Sequence, residues 1–256
     1  MSTLPTLAFF GATGLSALTT LTLALKAGHN CRALVRTPQK LLDLLASSAI
    51  PSDQISQNLV IITGDIRDPA AVSKTLFSAT DEVVDIIISG IGCYPVLRGF
   101  KFVNSDPTLC ADGITTILSV LSSRPQNNKK PYLITLGTTG ISVLGRDVPW
   151  LFLPLYKILL ESAHEDKKSM ESLITSSFVS EKNVLGGYTL VHASLLTNGP
   201  LLGRAAVREE TEGREWSGEA IGYTISRADL GNWVFEACVG GWDEVKGEGR
   251  VVRVTY

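Results

Sequence analysis

Residues 11–17, GATGLSA, space two glycines and a small residue as Gly-x-x-Gly-x-x-Ala between an apolar run and a helical pattern. Residues of these types in that place can capture a pyrophosphate. Gly11 permits a tight turn, Gly14 lets the backbone approach phosphate oxygens with no Cβ in the way, and Ala17 leaves room for a helix to lie close to a strand. The free N–H groups of the helix N-terminus, with Thr13 and Leu15 beside them, face the anion at the positive end of the helix dipole. The same residues also suit a plain glycine-rich turn; their place after a strand and before a helix favours binding.

The next residues bear on which dinucleotide is bound. An acid about 20 positions after the glycines serves a free ribose 2′-hydroxyl. Residues 33–40, ALVRTPQK, place Arg36 there, with no acid before Asp43. A guanidinium pairs with a 2′-phosphate and stacks on adenine, and Arg32 and Lys40 lie nearby. NADP(H) is therefore the expected cofactor. Asp65 and Ile66 follow a third apolar run, where Asp65 would accept from the adenine amino group and Ile66 would cover the ring. An exposed turn aspartate is the plain alternative. Ser89, Gly90 and Gly92 follow a fourth run and would allow close approach of cofactor or substrate at the strand ends.

These residues need strands and helices to hold them. Residues 6–10, 31–35, 59–63, 83–89, 132–136 and 188–192 read as strands. Residues 15–26, 41–46 after Pro38, 69–78, 114–121 and 161–174 read as helices. Alternation with short turns predicts an α/β fold, a doubly wound parallel sheet of Rossmann type. The strands are continuous apolar runs, as expected where both faces are covered. Composition shifts after about residue 195 towards Gly, Arg and Glu, with a helix around 229–239 and a strand at 250–255. Residues 1–256 are expected to form a single dinucleotide-binding domain whose last part, from about 195, is a small C-terminal substrate lobe.

The 256 residues are 45% hydrophobic and 19% charged, enough apolar surface for a folded core. Lys plus Arg number 23 against 25 acids, so the basic excess of a nucleic-acid binder is missing. Four scattered cysteines and three distant histidines predict neither a disulfide framework nor a metal site, and suit a reducing, cytoplasmic compartment. The N-terminus lacks the features of a signal peptide. The apolar run at 148–160 is too short to span a membrane and is interrupted by Pro154 and Lys157. It suits a pocket wall or a partner-facing helix in a homodimer.

The segments GATGLSA, ALVRTPQK, GDIRDP and ISGIG together resemble the atypical short-chain dehydrogenase/reductase group with NmrA-like, NAD(P)-binding members. AHEDKKSME at 163–171 resembles that group's helix bearing a lysine and a glutamate. YTLVHASLLTNGP at 188–200 and ISRADL at 225–230 resemble its later segments. The resemblance implies an NADPH-dependent oxidoreductase, in a group frequent in fungal biosynthetic pathways, acting on a hydrophobic small molecule such as a polyketide.

One departure matters. The Tyr-x-x-x-Lys pair, in which the phenol donates a proton and the lysine holds the nicotinamide ribose, is absent. On the matching helix His164 stands four residues before Lys168, so His164 is the candidate acid and Lys168 the candidate ribose contact, with Lys167 next in line if the register is off by one. His192 replaces the group's usual arginine and is either a pocket residue or a satisfied buried histidine. The pocket walls are expected from 94–110, with Tyr94, Phe100 and Phe102, and from 141–156, with Trp150, Phe152 and Tyr156. The missing pair keeps two other readings open: a non-redox isomerase or cyclase on the same scaffold, and a non-enzymatic NADP-sensing regulator.

Overall fold

A computed structural model of the chain describes residues 4–48, 50–93, 95–98, 101–124, 129–142, 145–152, 161–213 and 217–256. The chain opens with β1 (Leu7–Phe10), α1 (Leu15–Lys26), β2 (Cys31–Val35), α2 (Pro38–Ala46), α3 (Ser52–Asn58), β3 (Leu59–Thr63), α4 (Pro69–Leu76) and β4 (Ile86–Ser89). A hairpin of β5 (Pro95–Arg98) and β6 (Lys101–Asn104) precedes α5 (Leu109–Ser122), β7 (Tyr132–Thr138), α6 (Glu161–Val179) and β8 (Gly187–Ala193). The last part holds β9 (Leu195–Thr197), β10 (Arg208–Thr211), β11 (Thr224–Ser226), α7 (Arg227–Trp233), α8 (Trp242–Val245) and β12 (Gly249–Thr255).

The main sheet has eight strands in the order β3-β2-β1-β4-β7-β8-β12-β10. Every pairing is parallel except that of β10 with β12. The order reverses between β1 and β4, which opens a crevice at the carboxyl ends of these strands, where α/β sheets bind ligands. Every strand of this sheet except β10 feeds both cores. Leu7 and Phe9 of β1 join Leu21, Leu25 and Trp233 on one face, whereas Ala8 and Phe10 join Ile87, Ile114, Leu133 and Ile174 on the other.

Local chemistry sets the helix starts. Asp68 accepts from the Ala70 N–H at 2.9 Å, with Pro69 in the first turn of α4. Ser226 caps α7 by accepting from the Asp229 N–H at 2.9 Å. Asp229 also accepts from the N–H groups of Leu202 and Gly203, from the Ser226 hydroxyl at 2.7 Å and from the Tyr256 hydroxyl at 2.5 Å. This one buried carboxylate gathers separate pieces of the C-terminal part. Thr20 donates to the Gly231 carbonyl at 2.9 Å, which seats α7 against α1.

Several elements differ from expectation. The helix expected at 114–121 begins at Leu109, because Asp166 of α6 accepts from the N–H groups of Cys110 and Ala111 and caps it from outside its own sequence. The strand expected at 83–89 is confined to β4, with Val83 in an isolated bridge to Phe77. The helix α3 buries no side chain and so carries no apolar stripe to read. Strand β10, REET, is a charged edge strand without an apolar run. Among the described residues no helix is long and apolar enough to cross a membrane, and no cluster of His, Cys, Asp and Glu is suited to a metal ion.

Candidate cofactor and substrate site

The crevice has two halves. The first, about 400 Å³, lies over the ends of β1, β2 and β3 and is lined by the glycine turn, Arg36, Lys40, Asp65 and Ile66. Gly11 sits at φ +79°, a conformation side chains disfavour, and a Cβ there would lie 2.8 Å from the Gly90 carbonyl. The fold itself therefore requires glycine at position 11. Gly14 is different. Its backbone is ordinary, at φ −77° and ψ 134°, and the nearest atom to a Cβ there would be the Gly11 oxygen at 3.3 Å. A side chain at Gly14 would press on the Gly11 carbonyl, which must give by a few tenths of an ångström, on the surface that a ligand would approach. The cradle fits a pyrophosphate, with the N-terminus of α1 opening directly beyond it. Ala17 plays its expected part, since a Cβ on Gly90 would meet the Ala17 Cβ at 2.8 Å.

Arg36 is exposed at the mouth of this half beside Lys40 and makes no ion pair among the described residues. Arg32, expected to help it, is committed elsewhere: it donates to the Thr75 and Lys74 carbonyls at the end of α4, at 3.1 and 2.6 Å. Asp65 accepts from the Arg67 N–H at 3.0 Å, and Ile66 is buried beneath α5. Ser89 is 3% exposed within the sheet and lines neither half, because the lining begins one residue later, at Gly90.

The second half, about 260 Å³, continues over β4 and β7 and shares Gly14, Gly90, Ile91 and Gly92 with the first. Leu15 and Leu136 line it, with Thr138, Leu196 and Arg227 at one end and Cys93, Asn104, Cys110 and three residues of α6 at the other. Those three are His164, Asp166 and Lys167. The Lys167 ammonium donates to the carbonyls of Ile91 at 2.9 Å and Leu136 at 2.8 Å, which uses two of its three donors. It thus ties α6 to the exits of β4 and β7 and keeps one donor for a ligand. Lys168, expected in this place, is exposed and lines neither half. Positions three and four after His164 both neighbour it on a helix, and the packing of α6 turns the first of them inward.

Burial lowers the His164 pKa below the ordinary imidazole value; Lys168 lowers it further, against an opposing pull from Asp147. The Cys110 thiol is pushed up to about 12, and burial also raises Cys93. Neither supplies a thiolate nucleophile at neutral pH.

His192 lines neither half. It is 2% exposed, with Nε2 2.9 Å from Glu171 Oε1, and Nδ1 3.8 Å from Glu212. Arg253, opposite it in the β8–β12 register and wholly buried, lies 3.6 Å from Glu212 and 3.9 Å from Glu210. His192 thus belongs to a buried charge cluster behind β7. Trp150 is 73% exposed and stacks with the Arg146 guanidinium, away from both halves. Phe152 packs edge-on to Tyr223. Tyr94, Phe100 and Tyr156 lie outside the described residues, as does the side chain of Phe102. Five lining residues were not singled out from sequence: Arg227, Asp166, Asn104, Cys93 and Cys110. Arg227 and Asp166 lie in the ISRADL and AHEDKKSME segments, and Asn104 and Cys110 in the wall expected at 94–110, whereas Cys93 had no signal.

The family described as NAD(P)H-binding matches residues 11–239. A reductase named pytE, of Aspergillus terreus, is 40% identical over 262 residues, covering 100% of this chain and 99% of that protein. An oxidase named pynE, of Aspergillus niger, is 35% identical over 275 residues, covering 97% and 96%. Among solved structures, ChuY, an anaerobillin reductase from Escherichia coli O157:H7, superposes with a TM-score of 0.63 at 17% identity over 96% of each chain. The oxidoreductase ylbE from Lactococcus lactis does so with a TM-score of 0.63 at 14% identity, over 97% of this chain and 90% of that one. At those identities the two structures share the fold with this chain.

Proposed function

The chain belongs to the NAD(P)H-binding family, in its NmrA-like, atypical short-chain dehydrogenase/reductase class, and on that premise we propose an NADPH-dependent reductase of a hydrophobic organic small molecule in a secondary-metabolite pathway. The observation that carries this reading is the continuous crevice across Gly14 and residues 90–92, with a phosphate cradle in one half and, in the other, Leu15, Ile91, Leu136 and Leu196 beside His164 and Lys167. A bound nicotinamide dinucleotide supplies the hydride. Gly11 and Gly14 with the α1 N-terminus hold its pyrophosphate, Thr13 and Leu15 flank that contact, and Asp65 and Ile66 border the adenine. Arg36, with Lys40, selects the 2′-phosphate over a hydroxyl. The free donor of Lys167 meets a ribose hydroxyl. His164 gives its N–H proton to the carbonyl oxygen that gains charge on reduction. Residues from about 195 onwards act as the substrate lobe, through Leu196 and Arg227.

The test is incubation with NADPH and the hydrophobic dicarbonyl 9,10-phenanthrenequinone, following nicotinamide absorbance. With oxygen excluded, reduction predicts equimolar loss of NADPH and dicarbonyl, slower with NADH. Conversion of a substrate at constant nicotinamide absorbance would instead assign an isomerase or cyclase, for which the missing Tyr-x-x-x-Lys pair leaves room. Dinucleotide-dependent affinity for a protein without turnover would assign a regulator.

A further inference from the structure

Arg227 has no task in the reading above beyond lining the lobe. It is the first residue of α7, half-buried at the end of the second half of the crevice. Its position is tightly set. Ser226 caps the helix directly before it, Asp229 holds Ser226, and Thr20 pins Gly231 to α1. Its Nη1 donates to the Leu196 carbonyl at 3.3 Å and to Asn198 Oδ1 at 2.7 Å. Both acceptors are neutral. Arg67, Arg204 and Arg253, by contrast, each lie within ion-pair distance of at least one carboxylate. No carboxylate pairs with Arg227 among the described residues.

Lys167, which lines the same half, repeats the pattern, since it also rests on neutral carbonyls. Asp166, the carboxylate lining this half, is turned onto the N-terminus of α5, whose dipole it offsets. The cleft therefore presents two cations without an acid placed against either. A half-buried cation without a counter-charge gains most from a ligand that brings one, and a guanidinium prefers the paired oxygens of a carboxylate. The bonds to Leu196 and Asn198 hold the guanidinium beside β9, within the half that the start of α1 also lines.

We propose that Arg227 anchors an anionic oxygen of the substrate, so that the hydrophobic molecule reduced here carries a carboxylate or an ionised enol. This rests on the reductase reading. The test is calorimetric titration of the NADP⁺-loaded protein with 2-naphthoate and its neutral counterpart 2-naphthamide. The proposal predicts that naphthoate binds about tenfold tighter or better, as expected for charge-assisted hydrogen bonds. Arg227→Gln should erase that preference. So should Asn198→Asp, which sets a carboxylate against the guanidinium at nearly constant size and leaves Arg227 in place. NADP⁺ affinity should stay within about twofold in both variants, less than one such bond is worth. Equal binding of the two probes, no binding of naphthoate, or a preference that survives both substitutions would overturn the proposal. So would a loss of NADP⁺ affinity in Arg227→Gln with the naphthoate preference intact, which would give this residue to the cofactor phosphates. Failure of NADP⁺ to bind the unaltered protein would count against the reductase reading instead, and titration of the unloaded protein would then still report on Arg227.

Discussion

The two halves of the crevice are built by different means. The first half is made largely of residues at the ends of the neighbouring strands β1, β2 and β3. Its glycine turn, the end of β2 and the end of β3 are each continuous in sequence. The other half adds to residues 14–17 and 90–93 walls from residues 104, 110, 136–138, 164, 166, 167, 196 and 227, which meet only after α5, α6 and α7 have packed. A cradle built from continuous segments suits a ligand common to a whole family. A wall of side chains drawn from distant segments is where one substrate is told from another. Changes in the first half should act on cofactor affinity, and changes in the second on rate and selectivity.

The comparison breaks most visibly at His164. His164→Ala should lower the single-turnover rate by about 10²–10⁴-fold, the usual share of a general acid, with cofactor affinity nearly unchanged. The sign of its pH dependence follows from the lowered pKa. At neutral pH the imidazole is mostly neutral, so the acid form grows as pH falls, and the rate should rise through a pKa below the ordinary value near 6.5. That limb should vanish in the variant. A flat profile in the unaltered enzyme would remove His164 from the chemical step.

Arg36→Ala tests the other half. It should weaken NADPH binding by about 1.5–3 kcal/mol, roughly 10–150-fold, and leave NADH almost untouched. A parallel loss for both dinucleotides would mean that Arg36 stacks on adenine without reading the 2′-phosphate. Lys167 sits where the halves join. Lys167→Ala should raise the cofactor dissociation constant by about tenfold, the worth of one charged hydrogen bond, whereas Lys168→Ala should be nearly silent. The reverse ranking would restore the register expected from sequence.

The same contrast explains what could be read without a structure. The first three strands, α1 and the glycine turn were legible because each is local. Leu7, Phe9, Ala33 and Leu34 are apolar on both faces of buried strands, and Gly11 marks its turn within a few residues. What escaped depends on distant partners. The start of α5 is set by Asp166, far along the chain. Strand β10 is polar because it lies at an edge, so no apolar run announces it. His192 and Trp150 had the chemistry of pocket residues, but packing put one in a charge cluster and the other in solvent. Arg227 was visible in ISRADL, yet only the fold brings it to the cleft.

The central claim is that the glycine turn is a dinucleotide cradle, and Gly14 tests it most directly because its backbone is ordinary and a Cβ there meets only the Gly11 carbonyl closely. The measurement is calorimetric titration of Gly14→Val with NADPH, beside thermal unfolding of the same protein and of Gly11→Ala. Gly11→Ala should cost at least about 1–3 kcal/mol of stability through backbone strain, to which the contact of its Cβ with the Gly90 carbonyl adds. Gly14→Val should stay folded, with a smaller loss of stability than Gly11→Ala, and bind no NADPH. A folded Gly14→Val protein that binds NADPH normally would contradict the account and reduce the turn to a connection between β1 and α1.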